Sequence, residues 1–304
     1  MMRTVETSDE QRSSRTLVPV LALGLICISF GSILVRYGQE ASSLAIAFHR
    51  MLWATILFSP FYWLRKHRPP IQHWPTQLLA GFALALHFAF WISSLRFTSV
   101  AVSVLLVNTS PVLVATASYV LFSERLTNRG ILGLTSALAG TAVLFWNDLI
   151  RLGDWRGPVL AVLGAASLGA YLLAGRRLRQ KQSLIDYVYP TYGIAAALLG
   201  VFCLVGSVPV LGFSNQTLLF LFLLGLIPQC LGHTSYNWAL RDLSATTISV
   251  LVLAEPVLAT LLAWWLLGEG VDSILLAGGI FVGLGIYLVS RFGIRPRGSK
   301  THAR

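Results

Sequence analysis

Residues 240–269 read LRDLSATTISVLVLAEPVLATLLAWWLLGE, and residues 95–124 read LRFTSVAVSVLLVNTSPVLVATASYVLFSE. Laid together without a gap, Arg241 falls on Arg96, Pro256 on Pro111, Val257 and Leu258 on Val112 and Leu113, and Glu269 on Glu124, all 145 positions apart. The same offset carries Gly133 onto Gly278 and Gly140 onto Gly285, so the register persists into the next apolar segment. The chain is a duplicated unit. A period this long is neither a solenoid nor a propeller.

The 304 residues are 55% hydrophobic and 12% charged, with a mean hydropathy of +0.71, whereas soluble domains carry about a quarter charged residues. Apolar runs long enough to cross a hydrocarbon core, about 20 residues of helix, recur along the whole length. In lipid such runs are helices, because only a helix satisfies its backbone within one segment; a barrel would need short alternating strands. The expected class is an all-α integral membrane protein with ten transmembrane helices in two five-helix repeats. Helices are expected near residues 17–35, 42–64, 76–95, 100–122 and 130–146, then near 157–174, 184–205, 217–240, 246–267 and 273–290. Residues 1–16 read as a disordered tail and 148–156 as a linker too short to free the halves from each other. That leaves residues 17–147 and 157–290 as the repeats and 291–304 as a basic tail. The first helix is too long for a signal-peptide core and is expected to be retained. It is echoed by the sixth, where Pro158-Val159-Leu160-Ala161 lines up with Pro19-Val20-Leu21-Ala22.

Cytoplasmic loops hold an excess of Lys and Arg. With the N-terminus inside, 18 of the 23 basic residues fall on inner loops and tails, against Arg36, Arg96, Arg151 and Arg156 outside, with Arg50 inside a helix. Both termini are expected in the cytoplasm and the protein in the cytoplasmic membrane. Five helices per repeat make the second copy enter from the opposite side, so the halves are inverted, an internal symmetry on which many transporters are built. The net charge of +11 is sorted to one side of a membrane and points to topology and anionic lipid rather than to nucleic acid. Cys27, Cys203 and Cys230 lie far apart in apolar segments and read as buried thiols.

Residues 111–124 (PVLVATASYVLFSE), 255–269 (EPVLATLLAWWLLGE) and Phe48-His49-Arg50-Met51-Leu52 resemble the EamA family of the drug/metabolite transporter superfamily, and the resemblance runs from Leu17 to Ser290. It implies a ten-helix inverted-repeat carrier of small organic metabolites around a central cavity, with the last helix of each half peripheral. The family's substrates include amino acids and their derivatives, sugars, nucleosides and drugs.

Glu255 lies mid-helix among uncharged residues. A charge there costs about 2.5–3.5 kcal/mol on insertion scales, so it must face a cavity or a partner. Pro256 removes a backbone donor and frees the carbonyl of Val252. The first-half counterpart is Ser110-Pro111, without the carboxylate. Glu255 therefore reads either as a substrate or proton group or as the partner of a buried base. Arg50 is that base, and its neighbour His49 is a further substrate-binding candidate; Arg50 ties to Glu255, meets a substrate anion, or snorkels outward. The third and eighth helices add His87, Trp91, Gln229, His233, Tyr236 and Trp238, as cavity lining or as interfacial aromatics. The spacing is wrong for a metal site. Asn108, one turn before Pro111, bonds a freed carbonyl or a ligand. Glu124 and Glu269 read as helix-end residues, and the glycines of the tenth helix as close packing.

No phosphate loop, dinucleotide fingerprint, nucleophile elbow or HExxH occurs, which disfavours ATP-driven transport by this chain alone. The expectation is a secondary carrier, an exporter of small metabolites, that needs no cofactor beyond possible proton coupling. Its partners are the substrate and membrane lipid, and it is not an enzyme. An intramembrane enzyme acting on lipid and a non-transporting subunit are the other classes considered.

Overall fold

The structure, a computed structural model, describes residues 3–38, 40–65, 73–98, 100–144, 154–267 and 273–296. Glu269, the basic turn at 66–70, most of the 148–156 linker and the tail from Arg297 onward lie outside the described residues.

The first half comprises α1 (Arg3–Tyr37), α2 (Ser43–Trp63), α3 (Trp74–Ser94), α4 (Val100–Val107), α5 (Ser110–Leu121) and α6 (Asn128–Leu144). The second half begins with α7 (Arg156–Arg179), α8 (Leu184–Val205) and α9 (Asn215–Leu224), the last continuing through a π-helical segment (Gly225–His233) into α10 (Thr234–Ala239). It ends with α11 (Ala245–Val252), α12 (Glu255–Leu267) and α13 (Ser273–Phe292). Serines open four of these helices, with Ser42, Ser183, Ser214 and Ser244 each accepting a hydrogen bond from the amide three residues on, which satisfies one of the orphan donors of the first turn.

Eight helical segments among the described residues are long and apolar enough to cross a membrane. They coincide with the expected helices one to four and six to nine. The expected fifth and tenth helices are present as α6 and α13, but α6 has 17 residues, about 26 Å of helix against a hydrocarbon core of about 30 Å. In α13 the apolar run is Leu276–Phe292. These two helices pack on each other. A Cβ on Gly133 would lie 2.9 Å from the Gly285 carbonyl, and one on Gly140 2.6 Å from that of Gly278. At the N-terminus the helix already begins at Arg3, although the apolar span starts at Thr16. The polar segment expected as a disordered tail therefore continues α1, as extending a nucleated helix costs little.

The fourth span is interrupted at residues 108–109 and the ninth at 253–254, so each is two short helices rather than one. Both interruptions lie two residues before a proline, Pro111 and Pro256, and they are 145 positions apart. Proline has no N–H for the carbonyl four residues back, which leaves Val107 and Val252 without the donor a regular helix supplies. At the second break the amides of Leu253 and Ala254 turn instead to Val250 and Leu251, three residues back. The π segment has a related cause, for Pro228 sits inside it and wide turns accommodate a residue that cannot complete the α ladder. Here His233 stands 146 positions from His87, one residue out of the 145-residue register.

Loop contacts sort the molecule into two ends. At one end Arg65 pairs with Asp186 at 2.7 Å, Lys181 Nζ lies 3.2 Å from His73 Nε2, and Arg176 donates to the Leu240 carbonyl. There too β1 (Glu124–Leu126) pairs antiparallel with β2 (Ile294–Pro296). At the other end Glu40 meets Ser214 and Thr217, and Arg96 donates to Ser43. Each contact joins segments that the distribution of basic residues assigns to one side.

Candidate functional site

Both helix breaks face one cavity between the halves. Of the residues singled out from the sequence, Arg50, His87, Trp91, Asn108, His233, Tyr236 and Glu255 line it together. Side chains from α2, α3, α10, α12, the π segment and the first break thus converge on one space, although they are spread over more than 200 positions of sequence.

Arg50 is 2% exposed. Its Nε donates to Gln229 Oε1 at 2.9 Å, and its guanidinium carbon lies 4.3 Å from the centre of the Phe88 ring. Gln229, fully buried, therefore serves the site through Arg50 and does not itself line the cavity. Glu255 opens α12 on the same cavity. Among the described residues the ion pairs are Arg65–Asp186 and Arg156–Asp154, so Arg50 and Glu255 face one space without a direct ion pair. The backbone of Glu255 is within reach of α1, where Ser29 Oγ lies 2.8 Å from the Leu25 carbonyl and 3.4 Å from that of Glu255.

His87 Nδ1 lies 3.0 Å from the Gly164 carbonyl. A carbonyl only accepts, so Nδ1 carries the proton and Nε2 of the neutral ring is the acceptor. The rings of His87 and Trp91 are nearly parallel, 4° apart with centroids at 6.1 Å, and form a flat wall. Among the described residues that line the cavity, Asn108 Nδ2 and the Tyr236 hydroxyl have no hydrogen-bond partner. Their residues are 4% and 3% exposed.

One sequence-based assignment changes, and one open reading is narrowed. His49 turns away from the cavity: its Nε2 donates to the Val210 carbonyl at 2.8 Å, and its ring meets Phe48 and Phe213 edge-on. One residue is a 100° step around a helix, so Arg50 and its neighbour cannot share a face. Trp238 packs against the apolar core instead of the cavity. Residues missed from the sequence include Phe88, Tyr171 and Asn237. Tyr171 donates to Asn237 Oδ1 at 2.8 Å, Asn237 Nδ2 donates to Tyr192 at 3.0 Å, and the Tyr192 hydroxyl meets Thr234 at 2.9 Å. Asn237 had a signal, lying between two flagged aromatics; Tyr171 had none, since its helix was read only as an echo of α1. Among the described residues no three His, Cys, Asp or Glu side chains gather as metal ligands would.

The fold and sequence have relatives. A crystal structure of a protein superposes with a TM-score of 0.77 over 91% of this chain and 96% of the other at 19% identity, which shows a shared fold. A protein named "uncharacterized transporter" from Archaeoglobus fulgidus is 24% identical over 284 residues, 89% of this chain and 96% of that one. The "uncharacterized transporter YwfM" of Bacillus subtilis is 23% identical over 273 residues, 89% and 91% of the two chains. Residues 16–146 and 155–291 each match the EamA-like transporter family, so the match covers both copies of the repeat. With its apolar helices and a family domain in each half, the chain is a multi-pass membrane protein and a transporter rather than an enzyme, and it belongs to the EamA-like transporter family.

Proposed function

We propose that the protein is a secondary carrier that exports a small organic metabolite, an amino acid or related compound, across the cytoplasmic membrane. Two inverted five-helix halves alternate access to the central cavity. The carrying observation is that both helix breaks, each just before a proline and 145 residues apart, open on one cavity whose Arg50 and Glu255 are not paired with each other. Interrupted helices near the midplane are how many inverted-repeat carriers present backbone and side-chain polar groups to a substrate.

In this reading α6 and α13 complete ten spans, and their contacts support the inversion. Gly133 packs on Gly285, the counterpart of Gly140, while Gly140 packs on Gly278, the counterpart of Gly133. Such reciprocal exchange follows from a two-fold relation between copies. The end rich in basic loops is cytoplasmic and holds both termini. Arg50, His87, Trp91, Asn108, His233, Tyr236 and Glu255 contact the substrate, Gln229 holds Arg50, and Glu255 carries a coupling proton.

Reconstitution in liposomes with uptake from a mixed metabolite pool tests this directly. Accumulation of an unaltered solute is the expected result. Chemical conversion would mean an enzyme, and neither accumulation nor conversion would mean a subunit without transport of its own.

A further inference from the structure

The 145-residue offset sets Ser110 opposite Glu255. Each is the first residue of the half-helix that follows a break, α5 or α12. The N-terminus of a helix carries a partial positive charge and spare amide donors, which favour an anion. In α12 that position brings its own carboxylate; in α5 it brings a neutral hydroxyl. The two halves therefore differ at the point where they would otherwise present the same charge to the cavity.

Three further donors line the cavity. Asn108, two residues before the start of α5, is 4% exposed, and among the described residues its Nδ2 has no partner. Tyr236, 3% exposed, likewise has an unpartnered hydroxyl on the cavity. Arg50 lines the same cavity with Nε engaged by Gln229, and among the described residues no carboxylate forms an ion pair with its guanidinium. A guanidinium stays charged under all ordinary conditions and matches two oxygens of one oxyanion, while buried polar groups without partners are costly. Among the described residues Glu255 is the one acidic side chain on a cavity wall that also carries these three donors.

We propose that Arg50 and Asn108, which line one cavity, form an oxyanion subsite that takes a carboxylate or phosphate-type group of the transported molecule. This rests on the carrier reading for the identity of the occupant. The flat wall of His87 and Trp91 beside the subsite suits an aryl anion as probe.

Purified protein is titrated with benzoate, phenylphosphonate and the neutral isostere benzamide, and binding is read as thermal stabilisation. Benzoate or phenylphosphonate is expected to reach half-effect at least about tenfold below benzamide, the factor for one hydrogen bond to a charged group. Whichever anion is tighter identifies the group as carboxylate or phosphate. Arg50→Gln is expected to abolish the discrimination, Arg50→Lys to keep part of it, and Asn108→Leu to weaken it about tenfold. Equal stabilisation by benzamide and both anions overturns the proposal, as does undiminished discrimination in Arg50→Gln. Should Arg50→Gln not fold, the wild type and Asn108→Leu decide on the same criterion. The liposome experiment fails separately. Anion discrimination without accumulation of any solute keeps the subsite and removes the carrier, whereas accumulation of neutral solutes without anion discrimination keeps the carrier and removes the subsite.

Discussion

Glu40 Oε2 accepts a hydrogen bond from Ser214 Oγ at 2.7 Å, and the Ser214 amide and Thr217 hydroxyl donate to the same carboxylate. The loop after α1 is thereby tied to the N-terminus of α9 in the other half. At the opposite end Lys181 Nζ lies 3.2 Å from His73 Nε2. Lys181 stands 141 positions after Glu40, and Ser214 141 after His73. The same loop-to-helix contact thus recurs at both ends, once with a carboxylate at a helix N-terminus and once with an amine on an imidazole.

The Glu40 contact has a pH signature. Hydrogen bonds from Thr217 and Ser214 to the charged form hold its carboxyl below the usual carboxylate range. A depressed folded-state value means that the contact stabilises above the ordinary carboxylate pKa and is lost as pH falls through the depressed value. Glu40→Gln should therefore lower the melting temperature slightly at neutral pH, with no difference from wild type once the carboxylate is protonated. A gap that persists unchanged in acid would show that charge plays no part.

Pro111→Ala and Pro256→Ala should reduce transport more than they reduce the yield of folded protein. Each restores an amide donor for the carbonyl of Val107 or Val252 and so favours a continuous helix across the cavity. Uptake and melting temperature have to be read on the same preparation. Losses in strict proportion would confine the prolines to folding.

Glu255→Gln should abolish transport or remove its pH dependence while leaving the protein inserted, because the change keeps shape and hydrogen bonding but deletes a charge at the second break. Uptake measured across pH in Glu255→Gln gives the decisive comparison: wild-type rates with the wild-type profile return Glu255 to a structural role.

Gly140→Val should destabilise the contact between α6 and α13, since a Cβ there would stand 2.6 Å from the Gly278 carbonyl. Forcing added carbons into a packed contact costs about 1–3 kcal/mol. Chemical denaturation in micelles measures it, and a wild-type midpoint would mean that the two helices separate without loss.

A cysteine introduced into the loop between α8 and α9, at Ser207, should react with an impermeant thiol reagent applied from outside intact cells. Labelling only after permeabilisation would reverse the assigned sidedness.

From the sequence alone came the membrane class, the duplication and the placing of both breaks, because hydropathy, a constant offset and a missing proline N–H are local properties of the chain. Arg50 and Glu255 could likewise be recognised as charges needing company. Tertiary packing alone decided the company each keeps. The direction a helical side chain faces depends on how its helix is rotated against its neighbours, and that rotation is set by contacts such as Arg50 with Gln229 and Phe88, which lie 179 and 38 positions away. The same packing turned His49 to the Val210 carbonyl and brought Tyr171 and Asn237 into the cavity wall. It also left Arg50 and Glu255 facing one space unpaired, an arrangement that arises only when elements from both halves of the chain close around it.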